Sequence, residues 1–332
     1  MLWLLAAIGG YGATALSGTA DKFLVSGRIE KPAAYVFLLT IFSLVSFALA
    51  PFGLHILPLP EMGIFFVAGM LFAWSLLFLF TAFRTGEVSR ILPLTGIFSA
   101  MVTLLPSIVR AFLFGEFPIS GFLSYGLLLI GAVLLSFSNS DFERSPYSRR
   151  DVRLSFFSGL FLAGFYLLIK VGEGSGANFV SGLVWSRFGV FLGGVSLLLV
   201  PTYRRDIVSF LREKAFSPKT SESAIPSPYG KMPRRQVGSL PTWLIFLSGK
   251  TLGGIGAICI VFATYRGSAA IVQALVGVQF AFVFLVALSL SGRFPTIFSE
   301  TLSRADWLRK AGAFACLSVG VWFSAQGERL LF

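Results

Sequence analysis

The chain has 332 residues, of which 55% are hydrophobic, 15% aromatic and only 13% charged. A soluble domain carries about 25% charged residues, so a water-soluble globule of this size is excluded. The net charge of +12 would suggest nucleic acid in a soluble protein, but in so apolar a chain it points first to basic loops at a membrane surface.

A bilayer core needs about 20 mostly apolar residues per helix. Uncharged runs of that kind occupy residues 1–20, 32–54, 62–83, 91–109, 117–140, 154–169, 267–292 and 311–327. Two further runs, 174–203 and 236–265, are each interrupted by one charge, Arg187 and Lys250. These ten spans are too long for soluble strands and lack the alternation of a transmembrane β-barrel. The expected fold is therefore an all-α integral membrane protein with ten transmembrane helices. Span 1 has no basic residue before its apolar stretch, so it reads as a retained helix rather than a cleaved signal.

Between spans 7 and 8, residues 204–240 combine eight Lys and Arg with Pro, Ser and Thr, and are expected to form a basic, disordered loop. A second basic connector, 141–153, joins spans 5 and 6. Both are read as solvated, topology-setting loops, with anionic lipid head groups as partners.

An internal repeat divides the chain. Residues 86–96, from Gly86 to Gly96, resemble residues 267–277, from Gly267 to Gly277, with glycines and a leucine coinciding. Each stretch leads into one apolar helix, which ends in Gly115-Glu116-Phe117-Pro118 or Gly292-Arg293-Phe294-Pro295. Two matches in order at equivalent ends point to duplication, with repeats at 1–140 and 154–332. Five spans per half is an odd number, so the halves enter the membrane from opposite sides, as two inverted five-helix repeats.

Together, the two halves of five helices, Lys22 late in span 1 followed by Pro32, the Trp185-Ser186-Arg187-Phe188 stretch, and Gly86…Ile91-Leu92-Pro93-Leu94 with a following Gly115-Glu116 resemble the EamA-type members of the drug/metabolite transporter superfamily. The resemblance covers nearly the whole chain outside 204–240. The second half departs from it, with Ala274 in place of Pro93 and Arg293 in place of Glu116, and Arg187 has no counterpart near Leu39. The resemblance implies small-molecule transport, a site between spans 1–4 and 6–9, and peripheral spans 5 and 10. It also marks Pro93, Gly115 and Glu116 as structural motif positions.

Basic residues crowd into the alternate loops 1–2, 3–4, 5–6, 7–8 and 9–10, which the positive-inside rule places in the cytoplasm with both termini outside. The resemblance implies the opposite orientation. The expected location is a bacterial-type inner (cell) membrane.

An ionisable side chain at mid-membrane costs at least about 2.5–3.5 kcal/mol, so each one is a functional candidate. Arg187, near the middle of span 7, either meets an anionic substrate group or bonds helix-end carbonyls or a neighbouring carboxylate. Lys250 lies inside span 8 or near its entrance. Asp21 and Lys22 form an interfacial pair at the end of span 1, unless the helix breaks at Gly18 and turns Lys22 to a cavity. Gln273 and Gln279 could hydrogen-bond a substrate, and Trp74 and Trp185 could stack on it or simply pack. These positions imply a net positive cavity, favouring an anionic substrate over a cationic one. Glycine pairs Gly189/Gly193 and Gly249/Gly253 read as helix-packing contacts.

Gly249-Lys250-Thr251 is rejected as a phosphate loop because Leu244 stands where a glycine is required. His55 has no nearby acid or nucleophile, and Cys259 and Cys316 form no ligand set. No enzyme activity, cofactor, metal or nucleic-acid partner is expected. The partners expected are the lipid bilayer and a small solute, with a homodimer left open. The leading expectation is a secondary transporter working by alternating access; the alternatives are a flippase for a phosphate-bearing lipid carrier, and a non-transporting scaffold or enzyme.

Overall fold

A computed structural model of the chain describes residues 2–27, 31–85, 88–114, 119–136, 148–212, 242–291 and 304–327. These residues form helices and short connections, with no strand among them. The helices are α1 (Leu2–Gly27), α2 (Pro32–Phe42), α3 (Leu59–Thr85), α4 (Val88–Phe114), α5 (Ile119–Ser136) and α6 (Arg149–Gly174). They continue as α7 (Phe179–Ser196), α8 (Pro201–Arg212), α9 (Thr242–Arg266), α10 (Ala269–Ala274), α11 (Val276–Ser291) and α12 (Arg304–Gly327). In lipid a backbone must satisfy its own polar groups, which is why the apolar runs are helical.

Among the described residues, six stretches are long and apolar enough to cross a bilayer: Pro32–Phe52, Leu59–Arg84, Ile91–Phe114, Arg149–Gly174, Phe179–Leu199 and Leu247–Arg266. Shorter apolar helices cover Leu2–Gly18, Gly121–Leu134 and Ala269–Val283. Large apolar side chains such as Leu5, Phe112 and Ile255 lie exposed on the outside, as expected for a chain solvated by lipid. The protein is a multi-pass helical membrane protein.

Local sequence explains the ends. Pro32 starts α2, where a missing N–H costs nothing. Ser148 and Asn178 cap α6 and α7 by accepting from the backbone N–H of Arg150 and Ser181. The 3₁₀ helix Ser43–Phe52 that prolongs α2 stops at Gly53, whose φ of 115° favours glycine.

Several expectations are corrected. Residues 204–212 are not part of a disordered loop; they belong to α8, because Tyr203, Ile207 and Phe210 fall at helical spacing and pack beneath α2 and α3. The connector expected at 141–153 yields to α6 from Arg149 onward. Span 7 does not run helical to Tyr203, since Val200 is extended and breaks it. The ninth apolar run is interrupted at Leu275, between α10 and α11. Gly115, Glu116 and residues 213–241 lie outside the described residues.

Small residues set the closest helix contacts, as in membrane bundles generally. α1 crosses α9 at Gly10 and Gly256, where an added Cβ would come within 2.9 and 2.8 Å of the other's carbonyl oxygen. α3 lies on α6, and Ser75 and Ser158 each donate to the other's carbonyl at 2.8 and 3.0 Å. α5 pairs with α12 through Ser124, which donates to the Gly320 carbonyl at 3.0 Å. α3 also crosses α7, where a Cβ on Gly69 would strike the Ser186 carbonyl and one on Gly189 would come 2.5 Å from that of Phe66. The pairs α4 with α6, α1 with α11, and α2 with α7 complete the main packing. Gly189 and Gly193 thus serve as packing contacts, as does Gly253, whose Cβ would meet Ser17.

Candidate functional site

Arg187 sits in the central turns of α7 and is only 9% exposed. The glycine crossing at Gly69 and Gly189 holds this part of α7 against α3, and Ser43 Oγ donates to the Arg187 carbonyl at 2.9 Å. The side chain reaches Phe72 of α3, its guanidinium carbon 5.4 Å from the ring centroid. Among the described residues the guanidinium has no carboxylate partner and no hydrogen-bond acceptor. The alternative of an arginine bonded to helix-end carbonyls is therefore not the arrangement seen. A cation–π contact returns about 0.5–2 kcal/mol, less than the insertion cost of a mid-membrane arginine. Among the described residues the charge is under-compensated.

One polar side chain lies within electrostatic reach of it, and two more are linked to that one. Tyr166 of α6 lies within electrostatic reach of Arg187 and beside Gln273. Gln273 of α10 is 3% exposed; its Oε1 accepts from Ser99 of α4 at 3.1 Å, while its Nε2 is buried and makes no short hydrogen bond among the described residues, with Tyr166 as a polar neighbour. Tyr11 of α1 lies in the same core cluster as Tyr166, within its electrostatic reach, and donates to the Val272 carbonyl at 2.8 Å. That bond takes up a backbone acceptor three residues before the Leu275 break, where the helical ladder is interrupted. Five helices, α1, α4, α6, α7 and α10, thus carry a linked set of buried polar side chains. Among the described residues, neither the Arg187 guanidinium nor the Gln273 amide makes a short hydrogen bond. The arrangement can receive an acceptor-rich, negatively charged group.

Other expected site residues fall elsewhere. Lys250 is half-buried on α9 with its ammonium 5.1 Å from the Tyr35 ring centroid. Tyr35 belongs to a cluster with Leu77, Phe80, Leu197 and Ile207, separate from the core containing Tyr166. Trp74 joins that second cluster, donating to Ser196 Oγ at 3.1 Å and meeting Tyr203 edge-on. Trp185 donates to the His55 carbonyl at 3.1 Å and packs edge-on against Phe47, Phe66 and Phe188. Both tryptophans are therefore packing residues with occupied indole N–H groups. Gln279 is buried on α11, past the break. Asp21 and Lys22 lie in α1, which runs unbroken through Gly18. Pro93 is buried inside α4, which continues through it.

Tyr11, Phe72, Ser99 and Tyr166 were not anticipated. Their signal was a polar handle on an otherwise apolar face, and only the packing of distant helices gives it meaning. The described residues hold no group of His, Cys, Asp and Glu able to bind a metal.

A solved crystal structure matches 98% of this chain and 99% of its own, with 16% identity and a TM-score of 0.56. At that identity the likeness concerns the fold, and it extends over the whole chain. No family model and no curated protein matches the sequence.

Proposed function

We propose that the chain is a secondary carrier of small anionic metabolites, built as ten transmembrane helices in two inverted repeats of the EamA type and working by alternating access. The observation that carries the substrate class is the buried Arg187, which has no carboxylate partner among the described residues and is linked through Tyr166 to the Gln273 amide. An anion beside Arg187 would supply the missing charge and accept from its guanidinium; a cation would add repulsion to a site already short of acceptors.

The helix pairing supports the architecture. An inverted repeat equates α1 with α6, α2 with α7, α3 with α9, α4 with α10 and α11, and α5 with α12. Under that exchange α1 on α9 becomes α6 on α3, and α4 on α6 becomes α11 on α1. The pairs α5 with α12 and α2 with α7 map onto themselves. All of these are close pairs in the bundle. The interrupted helix at Leu275 also fits, because transporters place discontinuous helices at substrate sites.

Transport then needs only the two half-bundles to rock about the donors, exposing them to each side in turn. Binding of the anion supplies the compensation that Arg187 lacks, and its release restores the deficit. The test is a melting screen of purified protein against carboxylates, phosphates, sulfates and organic cations. The proposal expects stabilisation by a subset of anions. Stabilisation by cations alone would overturn the charge reading.

A further inference from the structure

The fold contains one strongly amphipathic helix that the carrier reading does not use. α8 follows α7 after the extended Val200, and so begins where a membrane-crossing helix ends. Its inner face, Tyr203, Ile207 and Phe210, packs on the cluster formed with α2 and α3, where Ile207 is 1% exposed. Its opposite face carries Arg204, Arg205, Val208, Ser209 and Arg212 around a shallow surface cavity of about 340 Å³. The Lys31 ammonium, at the start of α2, reaches this rim and donates to Ser209 Oγ at 2.7 Å. Asp206 is the acidic residue of the helix, and no ion pair joins it to any of the three arginines.

We infer that this face holds the head group of an anionic phospholipid, the three arginines taking its phosphate and the exposed Val208 and Leu211 its glycerol and chain ends. Arginine forks match phosphate oxygens, and a basic face at the end of a membrane span is where lipid phosphates lie. The apolar residues interleaved with the charges decide between a lipid and a free anion. Dissolved phosphate gains nothing from Val208, Leu211 or the exposed Leu199 just before the helix, whereas a lipid does. The site is separate from Arg187 and would stand even if the solute were not an anion.

The experiment uses full-length protein in neutral detergent, with its melting temperature followed during titration with dioctanoyl-phosphatidylglycerol, dioctanoyl-phosphatidylcholine or inorganic phosphate. The inference expects saturable stabilisation by phosphatidylglycerol alone. It expects the triple variant Arg204→Gln, Arg205→Gln, Arg212→Gln to weaken that response about 100-fold, near five-fold per arginine. The variant Arg84→Gln, Arg266→Gln, at the exposed ends of α3 and α9, should respond as wild type. Equal responses to both lipids, full reproduction by inorganic phosphate, or equal losses in the two variants would overturn it. If the triple variant fails to fold, the single changes Arg205→Gln and Arg212→Gln carry the test, each expected to weaken binding about five-fold.

Discussion

Two helix crossings that an inverted repeat makes equivalent are packed quite differently. α3 is sealed against α7 along Gly69, Gly189 and Gly193, backbone to backbone. Its mate, α9 with α2, has no comparable close packing among the described residues, and the contact there is the Lys250 ammonium over the Tyr35 ring. One crossing tolerates no added carbon, and the other is bridged by a long, flexible side chain. In a carrier with two-fold related halves, such a difference is expected of a bundle held on one side of its cycle. The tight crossing also places Arg187 over Phe72, so the seal and the site share one helix face.

That contrast can be broken at several points. The largest effect is expected from Gly69→Leu, because its first side-chain carbon collides with the Ser186 carbonyl, which cannot move without moving α7. Overpacking against backbone should cost about 3 kcal/mol, read as a depressed melting temperature and loss of a monodisperse elution peak. Next comes Arg187→Met, which keeps length and removes the charge. Stabilisation by anions should vanish, while the melting temperature of the unliganded protein should hold or rise, the gain from deleting an unpaired buried charge being about 1–3 kcal/mol.

Tyr166→Phe removes one hydroxyl beside Arg187 and Gln273 and should weaken anion binding by about five-fold, the worth of about one hydrogen bond. A calorimetric titration with the stabilising anion would measure it. Lys250→Met is expected to have the smallest effect on stability, because its side chain is half-exposed and the cation–π contact to Tyr35 that it loses is worth about 0.5–1 kcal/mol. A larger loss in the Lys250 variant than in Gly69→Leu would reverse the comparison between the two crossings.

Much of this was legible in the sequence. Long uncharged runs announce membrane helices, and Arg187 stood out because an isolated charge in such a run is expensive. Breaks were harder to place. Pro93 looks like a breaker yet lies inside a continuous α4, whereas the run Gln273-Ala274-Leu275, with neither Pro nor Gly, is where a helix is interrupted. The reason is tertiary: Tyr11, from a helix more than 250 residues away in sequence, takes the Val272 carbonyl. α8 was hidden by its charges. The same arginines that suggested a solvated loop alternate with Tyr203, Ile207 and Phe210 at helical spacing, so the period was present and the composition masked it. The companions of Arg187 come from separate helices, and no local pattern links Tyr166 or Gln273 to it.

Solute counterflow in proteoliposomes tests the central claim most directly. Vesicles are loaded with the anion that best stabilises the purified protein, and uptake of the labelled anion is followed for wild type and Arg187→Met at equal incorporation. The account predicts rapid exchange by wild type and none above empty vesicles by the variant. Exchange by Arg187→Met at the wild-type rate would contradict it.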